Sequence, residues 1–324
     1  MLTLAFASMA VAQQKPLTEP FAVRNQNPFI LVHGLPNATA AELLPPGESS
    51  LQLQFDITNH SKGSQTPQES IILDGETYRT ALIYKRGFGD GWQLGLELPL
   101  ISHRHGIMDN FIEGWHDIFG LSNKDRASWP KNRLLFSYTR NGIVMAEMSD
   151  GASGVGDLQL QLSRRLKVSK EGNWLSLSAS LKLPSGDVDR FQGSGAVDLA
   201  VWLSGAAPTL LEAWRMGGYM QAGVLLLGDG DLLSEQQRNS VLFGSAGMHW
   251  RAWPGLMLKA QFDLHSSFYD SQLEQLGKRS LMLTLGGTIA LDQGAGALDL
   301  AIGENLATDT VPDFMLNLAY RRRF

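Results

Sequence analysis

The sequence contains no cysteine among its 324 residues. This absence excludes disulfide bonds, thiolate metal sites and a lipid anchor attached through cysteine. Charged residues are few, at 18%, and the net charge is −5, so the composition does not point to a nucleic-acid partner. The chain also lacks an apolar run of about 18 residues, so a transmembrane helix does not explain its 44% hydrophobic content.

The sequence does have a regular alternation of apolar and polar residues. In 91–100 the even positions hold Trp92 and four leucines, whereas Gln93 and Glu97 lie between them. The same period of two recurs in 157–163, 174–183 and 256–265, and it indicates β-strands with two different faces. A soluble sandwich also alternates. However, a leucine-rich face with aromatic residues near strand ends is typical of a lipid-facing band around a hydrated interior.

We therefore predict an all-β fold, a transmembrane antiparallel β-barrel of about twelve strands, with fourteen as the alternative. Short periplasmic turns and long outer loops should alternate along it. Residues 132–148 read as a hairpin within the long loop 101–154, because Asn141-Gly142 separates two strand-like arms. The predicted strands are 50–59, 77–86, 92–100, 155–166, 173–183, 196–205, 215–227, 240–252, 255–266, 280–291, 297–303 and 313–324.

Three segments make up the predicted domain organisation. Residues 1–12 are predicted to be a signal peptide, since a short apolar run ends in the small residues Ala10 and Ala12. The basic n-region that usually begins such a peptide is missing. Residues 13–48 form an N-terminal arm, which is either a plug in the lumen or an ordered periplasmic segment. Residues 49–324 form the barrel.

The polar positions of the strands supply the candidate lumen lining. Their charges could line a solute path, or they could pair with one another and hold the shape of a narrow barrel. These candidates are Gln52, Gln54, Asp56, Gln93, Glu97, Gln159, Gln161, Lys182, Asp198, Lys259, Gln261, Asp263 and His265.

The last strand carries a candidate assembly signal. Its alternate positions include Tyr320, and the chain ends on Phe324 after three arginines. A terminal aromatic residue on a closing strand resembles the signal read by the outer-membrane insertion machinery, although Arg322 departs from that pattern. We expect outer-membrane lipid and this machinery to be partners, together with a small solute.

One segment of the long loop has helical spacing instead. Its candidate residues are Phe111, Trp115, His116, Asp117 and Phe119, and the apolar ones share one helix face. The helix could catch apolar solutes at the mouth, or it could only stiffen the loop. His116 and Asp117 point about 100° apart on a helix, so they do not form a catalytic pair by themselves.

The remaining histidines give weak signals for chemistry. His60 and Ser61 are neighbours that diverge on a strand, which weakens a lipid-hydrolase interpretation. His103 and His105 have a metal-compatible spacing but lack a nearby third ligand. We predict no catalytic residues, no metal site and no cofactor.

Several stretches resemble a known family. NPFILVHGLP, LDGETYRTAL, GDGWQLGLELPL, FIEGWHDIFGLSN and SGVGDLQLQLSRRL are similar to a family of uncharacterised Gram-negative outer-membrane proteins, a domain of unknown function, over most of 27–324. GVGDLQLQLSRR and KLPSGD more distantly resemble barrels that take up aromatic and long-chain hydrophobic compounds. The first resemblance implies a barrel in the outer membrane and no established activity.

The sequence thus favours an outer-membrane channel or transporter for small molecules, and the distant resemblance implies that these are hydrophobic. Two alternatives stay open. One is a membrane-embedded lipid hydrolase, and the other is a structural or adhesin-like barrel with no role in transport.

Overall fold

The computed structural model describes residues 19–108, 114, 130–306 and 310–324. Within them the chain forms two short helices, α1 (Pro28–Leu31) and α2 (Glu274–Gly277), and two 3₁₀ turns at Glu212–Trp214 and Asp292–Gly294. None of the helices in this part of the chain has the length and apolarity needed to cross a bilayer. The strands are β1 (Ser49–Gln65), β2 (Glu69–Phe88), β3 (Trp92–Arg104), β4 (Leu135–Arg140), β5 (Ile143–Met148), β6 (Ala152–Val155), β7 (Leu158–Val168), β8 (Trp174–Leu183), β9 (Asp198–Leu211), β10 (Met216–Leu226), β11 (Ser240–Trp253), β12 (Leu256–His265), β13 (Ser280–Leu291), β14 (Gly296–Asn305) and β15 (Phe314–Arg323).

Twelve of these strands form a closed antiparallel barrel. β1 to β3 and β7 to β15 each pair with the next, and β15 returns to pair with β1 from Ser50↔Arg323 to Asn59↔Phe314. Closure leaves the spanning sheet without an edge, as hydrocarbon requires, because lipid cannot hydrogen-bond an unpaired backbone group. The predicted fold class and the count of twelve strands are confirmed.

The connections divide the barrel into two ends. We call the end with short connections, such as 89–91 and 254–255, the turn end, and the opposite end the loop end. At the loop end β4 pairs with Glu69–Asp74 of β2, β5 pairs with β4, and β6 pairs with β3. The β4–β5 hairpin confirms the predicted one, with φ of 50° at Asn141 and 78° at Gly142, values that suit a tight hairpin turn.

Several strand boundaries were predicted wrongly. Residues 60–76 are not a long loop, because β1 and β2 stay paired up to Gln65↔Ser70. Beyond the apolar band β1 is polar on both faces and β2 has Ile71, Ile72 and Leu73 in succession, so the alternation fades while backbone pairing continues. Strand 196–205 was also too short: β9 runs to Leu211 and accommodates Pro208 next to a register shift between Met216 and Gly218.

The outer face of the barrel is apolar, as the alternation predicted. Leu53, Leu94 and Leu300 are each at least half exposed to the surroundings, at 53%, 50% and 55%. Burial in hydrocarbon stabilises such a side chain by about 1.5–3 kcal/mol relative to water. This face therefore suits acyl chains.

Replacing Leu53 by arginine should destabilise the barrel in lipid by about 2–4 kcal/mol, because the charge would lie within the apolar band. Ser61, which lies beyond the apolar positions of β1, provides the control, and Ser61→Arg should cost about 0–1 kcal/mol. Urea unfolding in phospholipid vesicles measures both. Equal costs at the two positions would contradict this placement of the band.

The interior is filled by the N-terminal segment. All four residues of α1 are buried, and Asn27 caps the helix by accepting a hydrogen bond from the Phe29 amide at 3.1 Å. Pro28 at the first helical position already has a suitable φ. α1 lies in the main apolar core of the molecule, with side chains from the loop-end connections around it.

Candidate functional site

The predicted lumen residues all lie on the face of the sheet opposite to the exposed leucines. Gln161 and Asp263 are half-buried, and the other eleven are buried. The structure thus brings all of them together around the interior. That they contact a solute stays a prediction.

Residues 19–48 run along this interior in two directions. An ascending leg, 19–27, leads from the turn end to α1, and a descending leg, 33–48, leads back to β1. The ascending leg begins where Glu19 contacts Arg321 and ends where Asn27 Nδ2 donates to the Thr310 carbonyl at 3.2 Å. The descending leg ends where the Gly47 amide donates to the Gly87 carbonyl at 2.9 Å. Both legs therefore face polar groups of the wall.

Four buried charges meet in the middle of the lumen. Arg24 of the ascending leg donates to Glu97 Oε1 at 2.5 Å, and Arg79 of β2 donates to the same oxygen and contacts Asp56 Oδ2 at 3.4 Å. Asn317 donates to Asp56 Oδ1 at 2.6 Å. Two positive and two negative charges thus balance within the cluster, and one of the positive charges belongs to the N-terminal segment.

A second cluster lies nearer the loop end. Lys182 Nζ contacts Asp157 Oδ2 at 2.6 Å and Asp198 Oδ2 at 3.4 Å, and it donates to the Val32 carbonyl at 3.2 Å. Asp198 Oδ2 also accepts a hydrogen bond from the Gly34 amide at 2.8 Å. This cluster therefore holds the start of the descending leg against β8 and β9.

A third cluster holds the ascending leg at the turn end. Glu19 pairs with Arg321 at 2.6 Å and with Arg323 at 2.5 Å, so one carboxylate contacts two guanidinium groups of the last strand. Lys259 Nζ contacts Asp299 at 3.1 Å and donates to the Glu19 carbonyl at 3.0 Å. Glu19 is thus the residue that ties this end of the segment to the wall.

An apolar cap lies at the loop end, above these clusters. Phe29 packs edge-on against Phe191 at a centroid distance of 5.0 Å, and His33 stacks on Phe268 at 5.2 Å. His33 Nε2 is 2.8 Å from the Tyr269 hydroxyl. Burial, together with the nearby Lys182 charge, lowers the pKa of His33 to about 3, so the imidazole stays neutral at physiological pH. Burial likewise raises the pKa of Tyr269.

Two small cavities lie between the described part of the segment and the wall. One cavity, beside Asn37, Gln52 and Glu97, measures about 40 Å³, and another, beside Asn25 and Asp263, measures about 20 Å³. A single water needs roughly 10–15 Å³ measured in this way. Each of these two cavities has room for water but not for a larger solute.

Sequence reasoning missed several residues of the clusters. Arg79 lies on the inward face of β2, and Asp299 lies on the inward face of β14. The same alternation, applied to these two strands, predicts both residues to face the lumen. Glu19 and Arg24 carry no such signal, because they precede the first strand and are defined only by their partners across the barrel.

The residues considered for catalysis or metal binding contact side chains and backbone groups of the barrel and its loop-end connections. The His60 ring packs edge-on against Phe136 at 5.6 Å, whereas the neighbouring Ser61 amide donates to Asp313. His103 lies 2.9 Å from the Thr77 hydroxyl and 3.1 Å from the Phe191 carbonyl. In the described part of the chain, His, Asp and Glu residues nowhere form a group of three that could hold a metal ion.

Two other sets of candidates remain predictions. Tyr320 points outward from β15, and Phe324 is exposed while its backbone bonds that of Ser49 at 2.8 and 2.9 Å. The loop-helix candidates Phe111, Trp115, His116, Asp117 and Phe119, and the signal peptide 1–12, lie outside the described residues.

The Asn27 side chain joins α1 to the loop-end connections, since it also donates to the Gln275 and Thr310 carbonyls at 3.2 Å each. Asn27→Ala should lower the free energy of unfolding by about 1–2 kcal/mol, because the helix cap is lost. Asn239→Ala, at an exposed loop position, is the control and should change it by less than about 0.5 kcal/mol. Urea unfolding compares the two, and an unchanged Asn27→Ala protein would refute the capping role.

A family model described as "Protein of unknown function (DUF3187)" matches residues 1–324. The chain belongs to the DUF3187 family. This confirms the resemblance to a family of unknown function that the sequence showed. No curated protein matches this DUF3187 chain.

Solved structures share the barrel fold of this DUF3187 member. The COG4313 outer membrane channel from Pseudomonas putida F1 is similar with a TM-score of 0.58 and 14% identity, over 88% of this chain and 98% of that one. The KdgM porin gives a TM-score of 0.44 at 8% identity, over 85% and 99% of the two chains. The toluene transporter TbuX of Ralstonia pickettii gives 0.38 at 10% identity, over 87% and 90%. At 14% identity, the likeness to the channel from Pseudomonas putida F1 shows the fold alone.

Proposed function

We propose that this DUF3187 chain is an outer-membrane channel for small solutes, and that residues 19–48 act as its plug. One observation carries the proposal: a closed barrel with a polar interior is filled by a segment of its own chain through ion pairs and hydrogen bonds. Such contacts can be exchanged for contacts with a solute or with water. A filled barrel that served only as a scaffold would not need an exchangeable filling.

Three features support the location and the partners. The outer face is apolar and suits lipid, the sheet is closed, and the similar structure from Pseudomonas putida F1 is that of an outer-membrane channel. We therefore propose outer-membrane lipid as the surroundings and the barrel-insertion machinery as an assembly partner. Tyr320 and Phe324 would supply the assembly signal.

The chemistry of the wall favours a polar solute over a hydrophobic one. The groups that the plug covers are mainly amides and charged side chains, such as Gln54, Glu97 and Gln261. Moving an apolar solute past such groups would cost their hydrogen bonds without replacing them. We therefore prefer a polar solute to the hydrophobic one that the distant resemblance implied.

The two alternatives receive less support. A lipid hydrolase would need a histidine close to a nucleophile on the lipid-facing side, whereas His60 packs inward against Phe136. A structural or adhesin-like barrel would keep its lumen closed under all conditions. The latter alternative is an outcome of the experiment below.

Loosening the plug without altering the wall tests the proposal. Glu19→Gln with Arg24→Gln removes the plug's charges from two clusters and leaves every barrel residue unchanged. In planar lipid bilayers we expect low conductance from the wild-type protein and about tenfold or higher conductance from the double variant. Removing one partner of a buried ion pair typically costs about 3–5 kcal/mol of stability, so the plug should bind the wall less tightly. Lys170→Gln, at an exposed turn, is the charge-removal control.

A sealed double variant would contradict the channel proposal and favour the structural barrel. The variant must first be shown to be folded, by its resistance to denaturation in cold detergent. Conductance of the control at the wild-type level completes the comparison.

A further inference from the structure

Wall side chains in the lumen bond the main chain of the ascending leg. Gln261 Oε1 accepts from the Phe21 amide at 2.9 Å, and Gln261 Nε2 donates to the Phe21 carbonyl at 3.1 Å. Gln54 Nε2 donates to the Ala22 carbonyl at 2.7 Å. A single side-chain amide thus satisfies both backbone groups of one residue, as a neighbouring strand would do.

The descending leg is held in the same way. Gln221 accepts from the Thr39 amide at 3.0 Å and donates to the Asn37 carbonyl at 3.3 Å, and Gln93 accepts from the Leu44 amide at 3.0 Å. Four wall glutamines therefore bond backbone groups of the plug. Because every peptide carries these groups, the contacts do not depend on the sequence of the bound segment.

We infer that the lumen wall is a binding surface for an extended peptide main chain, and that short peptides are the solute class of the channel. This inference rests on the proposed function and names its substrate. In this reading the ascending leg occupies the place that a peptide takes when the plug moves aside.

The dimensions and the wall chemistry fit such a ligand. Nine extended residues, the length of the ascending leg, reach up to about 30 Å, which is the thickness of the hydrocarbon core. Phe21 and Val23 pack in a buried apolar cluster with Met282 and Met315, so the wall accepts apolar side chains at alternate positions. An oligosaccharide could use the amides but would leave these apolar positions unfilled.

Peptide binding can be measured in the full-length Glu19→Gln/Arg24→Gln protein. The probe is the synthetic peptide EPFAVRNQN, the sequence of 19–27, and maltohexaose is the oligosaccharide comparison. We expect the peptide to block the current in planar bilayers and maltohexaose to have no effect. Fluorescence polarisation of the labelled peptide with the protein in detergent provides a second readout that does not need a current.

A wall substitution tests the main-chain contacts directly. Gln261→Leu should weaken peptide binding about tenfold, because two hydrogen bonds are lost. Thr284→Val is the matched control: Thr284 is the cross-strand neighbour of Gln261, and its buried hydroxyl has no hydrogen-bond partner among the described residues. Binding to the control should equal that of the parent double variant.

The outcomes separate the inference from the proposed function. A conducting protein that neither binds nor is blocked by the peptide overturns the inference and leaves the channel intact. Block by maltohexaose alone assigns the wall to carbohydrate and also overturns it. Peptide binding without any conductance overturns the channel proposal but retains the peptide site. If Thr284→Val weakens peptide binding as much as Gln261→Leu does, the role of Gln261 is refuted.

Discussion

A disulfide between the plug and the wall should close the loosened channel. Gly34→Cys with Asp198→Cys, introduced together into the Glu19→Gln/Arg24→Gln protein, should reduce its conductance at least about tenfold when oxidised, and a reducing agent should restore it. A Cβ built at Gly34 lies 3.0 Å from the Asp198 Cβ, within an ångström of the roughly 3.5–4.5 Å that disulfides span. With Gly34 tied to β9, α1 stays beneath the loop-end cap. Single-channel recording before and after reduction measures the change.

The absence of native cysteine simplifies the interpretation of this experiment. The two introduced thiols have no other thiol in the chain to pair with. Each single cysteine variant, treated with the same oxidant, is the control, and its conductance should not change on reduction. Undiminished conductance of the fully oxidised double-cysteine protein would mean that solutes pass without movement of α1, contrary to the plug model.

Removing the central arginine of the wall should strongly destabilise the barrel. Arg79 is 1% exposed and contacts both Asp56 and Glu97, so Arg79→Met leaves two buried carboxylates with only Arg24 to balance them. Breaking a buried pair in this way typically costs about 3–5 kcal/mol. Urea unfolding in lipid vesicles measures the loss.

Two further variants make the interpretation specific. Arg165→Met breaks the pair with Asp90 at the turn end, whose side chain is 90% exposed, and it should cost about 0–1 kcal/mol. Arg79→Met with Glu97→Gln restores the charge balance, because Arg24 then faces Asp56 alone. The double variant should recover part of the stability. An Arg79→Met loss no greater than that of Arg165→Met would show that the central cluster is not a buried charge network.

The alternation of apolar and polar residues was sufficient to predict which residues face lipid and which face the lumen. Gln54 and Gln261 lie on strands that are four apart in the barrel and far apart in sequence, yet the period of two assigned both to the interior. The prediction failed where the pattern fades. β1 continues to Gln65 although its last residues are polar on both faces, and β9 passes Pro208. Backbone pairing in these regions depends on the neighbouring strand, which the local pattern does not contain.

The sequence by itself determined the fold class, the strand count and the two faces of the wall, because each depends on a periodicity that a single strand carries. The tertiary structure decided what fills the lumen. Glu19 meets Arg321 across a separation of 302 residues, and Arg24 meets Glu97 across 73. Such contacts form only when the closed barrel brings distant strands around the N-terminal segment, so no local spacing in the chain encodes them.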